Sequence, residues 1–130
     1  MKEQIEYYSD KLKYEIDSWD LYSSLEKKDR VIVIDARSYE AHEAEHIPNA
    51  FNLPHKTMDE STTKELDKSY LYVTYCDGIG CNASTKGALQ LTKLGFKVKE
   101  LLGGLDWWKR DGNETSGDNA TKGNKIVCGC

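Results

Sequence analysis

The chain has 130 residues, a net charge of -4 and a pI near 5.4, with 38% hydrophobic and 31% charged residues. That length suits one globular domain with a modest core, and the composition excludes a disordered chain. The acidic balance, the lack of a long basic run and the lack of an apolar run of about 20 residues argue against nucleic acid and membrane as partners.

Residues 1–14 are charged and polar, with no apolar h-region, so no secretory signal is expected and a cytoplasmic location is. Ile5, Tyr8 and Leu12 recur at helical spacing and predict a short amphipathic helix as an N-terminal extension. Glu15-Ile16 suits a brief strand, and Ser18 offers an N-cap for a helix carrying Leu21, Tyr22 and Leu25. Val31-Ile32-Val33-Ile34 is apolar on both faces, the mark of a strand in a parallel sheet covered on both sides. A weaker strand over 50–53 ends at Pro54, and residues 64–66 belong to a weak helical stretch.

The aromatic and β-branched run over 70–75 predicts a further strand. Residues 84–94 predict a helix with Ala88, Leu91 and Leu94 facing inward and Gly95 at C′. A strand over 97–101 and a short helix over 105–110, closed by Gly112, complete the pattern. Strands alternating with helices argue for an α/β domain over residues 15–112 with a mainly parallel sheet. From Asn113 the composition turns to Gly, Asn, Asp, Ser, Thr and Lys, which predicts a flexible C-terminal tail over 113–130 ending in Cys128-Gly129-Cys130.

The four cysteines, at positions 76, 81, 128 and 130, all lie in the C-terminal half. That is not the spread of a disulfide framework in a small secreted fold. Their x4 and x1 spacings depart from those of zinc sites, so no metal and no cofactor are expected. Reactive thiols are the reading that remains.

The most informative stretch is a strand, then Cys76-Asp77-Gly78-Ile79-Gly80-Cys81-Asn82, then a helix. In open parallel sheets, ligands bind beyond the carboxyl ends of the strands, where this places Cys76. Two glycines let the loop curl so that the amides of Asp77, Gly78, Ile79, Gly80, Cys81 and Asn82 form an anion-binding nest. The helix that follows adds free N–H groups and its positive dipole end. A thiol there ionises more readily, and the same donors suit a persulfide anion as a covalent intermediate.

The order Asp35-Ala36-Arg37, His46-Ile47-Pro48-Asn49-Ala50, Tyr75-Cys76 with its glycine loop, and Gly103-Gly104-Leu105-Asp106-Trp107-Trp108 resembles the rhodanese-like family. The resemblance implies a three-layer fold, a five-stranded, mainly parallel sheet flanked by helices. It implies a sulfurtransferase that moves sulfane sulfur from a small donor to a thiol acceptor, small molecule or protein, through a persulfide carried over to Cys76. Asp35 and Arg37 then tie loops together by charged hydrogen bonds, His46 is architecture, and Trp107 and Trp108 are packing residues.

This loop departs from the family pattern in two ways. Many active members carry an arginine in or at the end of the cysteine loop to hold thiosulfate; this loop has none and is about two residues longer. In size it resembles the C-x5-R loop of related phosphatases, but Asn82 stands where their oxyanion-binding arginine is required. Cys81, five residues after Cys76, is placed to serve as a resolving thiol. Two other readings stay open: a catalytically weak binding or regulatory module, and a thiol redox protein using Cys76 and Cys81.

Overall fold

The β-branched run beginning at Val31 is a strand buried on both faces, and its alternation divides the core in two. Val33, with Val73 and Tyr75 of the neighbouring strand, packs on Leu21, Ile47, Leu105 and Trp108. Ile34, with Tyr72, packs on Leu53, Met58, Leu91 and Phe96. A strand of period two between two helical layers must be apolar throughout, as this one is.

The computed structural model describes residues 1–123. Its strands are β1 (Glu15–Ile16), β2 (Val31–Asp35), β3 (Phe51–Asn52), β4 (Leu71–Tyr75) and β5 (Lys97–Leu101). They form one sheet in the order β1-β5-β4-β2-β3, with every pair parallel. Helices α1 (Lys2–Tyr14), α2 (Ser18–Glu26), α3 (Tyr39–Ala44), α4 (Glu60–Thr63), α5 (Ala83–Lys93) and α6 (Gly104–Arg110) complete the three-layer α/β fold. The strand expected over 97–101 and the C′ glycine of α5, Gly95 at φ +95°, lie where the sequence put them.

The strand order places the functional cleft. From β2 the chain moves outward to β3, whereas from β4 it moves the opposite way to β5. The loops leaving β2 and β4 therefore diverge, and a crevice opens between the carboxyl ends of these adjacent strands.

Four local features differ from the sequence expectation. The N-cap of α2 is Asp17, whose side chain accepts from the Asp20 amide, and Ser18 is the first helical residue. α3 was unforeseen: its six residues are too short for a periodic signal, although Ser38 caps it by accepting from the Ala41 amide. The helix sought near 64–66 lies earlier, where a reciprocal Asp59–Thr62 capping box fixes α4. In α1 no residue is buried, and Ile5 and Leu12 are 61% and 78% exposed, so its apolar stripe does not face the core.

The expected flexible tail also needs correction over its first residues. Asn113 and Thr115 are buried, and the Thr115 and Thr121 hydroxyls both donate to Glu45 Oε2 at 2.6 Å. Ser116 exchanges backbone hydrogen bonds with His46, and Trp108 Nε1 donates to the Glu114 carbonyl at 2.9 Å. Polar composition alone predicts mobility, but polar side chains with fixed partners order a segment equally well. Cys128 and Cys130 lie outside the described residues.

Candidate active site

Cys76 is the first residue beyond β4 and is 2% exposed. It borders a cavity of about 330 Å³ lined also by Ala36, Arg37, His55, Lys56 and Cys81, at the crevice that the strand order opens. A second cavity of the same volume lies among Tyr22, Leu25, Val33 and Trp108; no cysteine, lysine or arginine is among its described lining residues. Both described cysteines line the first.

The base of the Cys76 loop rests on the α6 turn. Leu105 N donates to the Cys76 carbonyl at 2.9 Å, and Asp106 N to the Asp77 carbonyl at 2.8 Å. Backbone this close leaves no room for a side chain. Gly104 sits at φ +59°, and a Cβ there would collide with the Cys76 carbonyl and lie 2.9 Å from Gly78 N. The Gly103-Gly104 pair is thus part of the site's scaffold.

By contrast, neither loop glycine, Gly78 or Gly80, has positive φ, and a Cβ on Gly80 would meet nothing within 4 Å. The loop turns without the glycine-dependent curl expected of it. The Cys81 amide, expected among the anion donors, is committed to the Gly78 carbonyl at 3.2 Å. Among the described residues, no backbone carbonyl takes the amides of Asp77, Gly78, Ile79 or Gly80. Asn82 precedes α5 as its N-cap and makes no side-chain cap, so the start of an 11-residue helix adjoins the loop.

Cys76 and Cys81 are joined by a disulfide, with Cα atoms 6.1 Å apart. The two thiols that the sequence set five residues apart are brought into direct contact. Cys81 is partly exposed, whereas Cys76 is buried.

Behind the thiol lies a charged network centred on Asp35, which is fully buried. Arg37 donates to it through Nε at 2.9 Å and Nη2 at 2.7 Å, and Arg37 Nη1 donates to Asp77 Oδ1 at 2.9 Å. Arg37 Nη2 also donates to the Glu45 carbonyl. His42 Nδ1 and Tyr75 OH both donate to Asp35 Oδ2 at 2.9 Å, and Tyr75 OH accepts from Ile47 N. Burial alone would raise the Asp35 pKa, but these donors hold it below the ordinary aspartate value. Burial likewise works against the Arg37 charge, yet Asp35 and Asp77 keep its pKa above that of a free arginine. The Tyr75 phenol is pushed up, first by burial and then by the Asp35 charge.

Arg37 bridges Asp35, Asp77 and the Glu45 carbonyl, and it places a guanidinium at the Cys76 cavity from outside the cysteine loop. His46 is architecture: Nδ1 donates to the His42 carbonyl at 2.7 Å, and its ring stacks on His42 at 3.9 Å. Trp108 is core, while Trp107 is 42% exposed beside Gly103. His42 and Tyr75 were not singled out by sequence, because their partner Asp35 lies 7 and 40 positions away with no local pattern linking them. His55 and Lys56 were also missed; the pKa of His55 is lowered by burial and then by the charges of Lys86 and Lys56. Their one sequence signal is Pro54, which follows β3 and caps the 3-10 turn His55–Thr57.

No group of three or more metal-ligating side chains occurs among the described residues, and none of their helices is long and apolar enough to cross a membrane.

The family model described as Rhodanese-like domain matches residues 18–111. Thiosulfate sulfurtransferase GlpE of Coxiella burnetii (strain RSA 493 / Nine Mile phase I) is 34% identical over 96 residues, covering 72% of this chain and 82% of that protein. The crystal structure of the BH2092 protein from Bacillus halodurans is similar with a TM-score of 0.88 at 38% identity, covering 98% of this chain and 94% of that one. A protein of Lactobacillus plantarum matches with a TM-score of 0.70 at 28% identity, over 84% of this chain and 92% of that one.

Proposed function

This chain belongs to the rhodanese-like domain family, and from that premise we propose that it moves sulfane sulfur from a donor to a thiol acceptor through a persulfide on Cys76. The observation that carries the reading is the position of Cys76: buried, at the carboxyl end of β4, opening on a cavity at the point where the strand order reverses. Similarity to a thiosulfate sulfurtransferase supports the reaction class.

Transfer starts from the reduced pair, with the Cys76–Cys81 disulfide opened. The Cys76 thiolate attacks the outer sulfur of the donor, the bond between that sulfur and the donor breaks, and the donor leaves with the bonding pair: sulfite from thiosulfate, a thiolate from a persulfide. An acceptor thiolate then attacks the outer sulfur of Cys76-S-S⁻ and frees the Cys76 thiolate. The two displacements involve no net oxidation. Backbone amides of residues 77–80 are suited to the persulfide charge. Lys56, lining the same cavity, and Lys86, close enough to depress His55, supply the positive field that a loop arginine provides elsewhere in the family.

A turnover assay tests the function. Reduced protein given thiosulfate and a thiol acceptor should release sulfite in proportion to enzyme, and Cys76→Ser should release none. Equal release by Cys76→Ser would contradict the reading. Absence of turnover with both thiosulfate and glutathione persulfide would favour a binding or regulatory module.

A further inference from the structure

Cys76 and Cys81 stand at the two ends of one short loop, already bonded, with 6.1 Å between their Cα atoms. That separation falls within the about 4.4–6.8 Å that a direct disulfide spans without backbone movement. Cys81 Sγ therefore reaches Cys76 Sγ itself. The base of the loop is held through Asp77, whereas its tip is open: Gly80 has free space where a Cβ would be, and Ile79 is 79% exposed.

We infer that Cys81 is a resolving thiol that gives the site a second activity, the release of sulfane sulfur as hydrosulfide with closure of the Cys76–Cys81 disulfide. This inference rests on the persulfide reading above. The Cys81 thiolate attacks Sγ of persulfidated Cys76, and the bond between that Sγ and the outer sulfur breaks. The outer sulfur departs with the bonding electrons and takes up a proton to become HS⁻. Two cysteine sulfurs are oxidised to a disulfide while the sulfane sulfur is reduced to sulfide, so the step needs no external oxidant.

Restoring the site requires a thiol reductant, supplying two thiols per disulfide. Cys81 is partly exposed and Cys76 buried, so an incoming thiolate meets Cys81 Sγ first and expels the Cys76 thiolate. That leaving group is the nucleophile of the next cycle. One persulfide thus has two fates: an acceptor thiol takes the outer sulfur, or Cys81 takes the inner one.

The test uses reduced full-length protein, loaded with glutathione persulfide, freed of small thiols, and followed by intact mass and hydrosulfide release. Wild type should release one hydrosulfide per loaded chain and end two protons lighter than the reduced protein, at a rate independent of protein concentration. Tryptic cleavage after Lys68 and Lys86 leaves both cysteines in the peptide 69–86, and the two-proton loss should map there. Cys81→Ser and Cys81→Ala should both keep the added sulfur until a thiol is supplied; two replacements guard against a folding defect in either. A wild type that holds its added sulfur as long as these variants overturns the inference and leaves the Cys76 persulfide standing. A two-proton loss outside 69–86 overturns it as well. Failure of all three proteins to take up sulfur overturns both readings.

Discussion

Asp35 and Arg37 are separated by one residue, yet they join three loops, because the guanidinium also reaches Asp77 and the Glu45 carbonyl. Removing the carboxylate charge leaves Arg37 buried against fewer acceptors. Asp35→Asn should therefore cost about 3 kcal/mol, the lower end of breaking a buried pair, measured as a fall in the urea midpoint. Asp35 and Glu45 both have pKa values lowered in the folded chain. Their contribution is present above the ordinary carboxylate pKa of about 4 and is lost as pH falls through the lower folded values. Wild-type stability should drop on acidification below that point, and the Asp35→Asn variant should show a shallower drop. Lys56, exposed at the cavity, makes a separate prediction: Lys56→Gln should raise the KM for thiosulfate about three-fold, the scale of one solvent-exposed charge, with kcat little changed. The Asp-x-Arg pair was legible because Asp35 ends a strand and Arg37 lies just beyond it. His42 and Tyr75 were not, because topology alone brings them to Asp35, nor was Lys56, which topology alone brings to the Cys76 cavity.

Among the elements, the turn into α6 matters more to the loop's shape than the loop's own glycines do. Gly104→Ala places a side chain against the Cys76 carbonyl at positive φ, which should cost about 2–3 kcal/mol and impair sulfur loading at Cys76. Gly80→Ala has open space and ordinary φ and should lie within about 0.5 kcal/mol of wild type. Thermal unfolding of the two variants, compared with their loading, separates a scaffold role from a loop role. Equal effects at both positions would refute this division. The sequence motif Gly103-Gly104 pointed at the right residues, but its contact with the Cys76 loop spans nearly thirty positions. The doubly buried strands and the helix over 83–93 were legible from period and caps alone. α3 was not, being two turns of helix held by Ser38 and the surrounding contacts.

At the scale of the whole molecule, the segment from Asn113 closes the fold over α3 and α6. It gives Glu45 two hydroxyl donors, pairs with His46, and accepts from Trp108 Nε1. Truncation after Gly112 should remove about 5 kcal/mol at roughly 1 kcal/mol for each of these five bonds, and lower Tm by roughly 15–20 °C. An unchanged Tm would mean that these bonds contribute nothing net. Composition misread this stretch because the partners that order it lie some seventy positions upstream.

The central claim, that Cys76 carries the sulfur, is tested most directly by intact mass of reduced protein after thiosulfate or glutathione persulfide, beside Cys76→Ser. Quenching by acid at early times captures the loaded form ahead of any resolution by Cys81. Wild type should gain one sulfur atom and Cys76→Ser none. No gain by folded, reduced wild type with either donor, or an equal gain by Cys76→Ser, would contradict it.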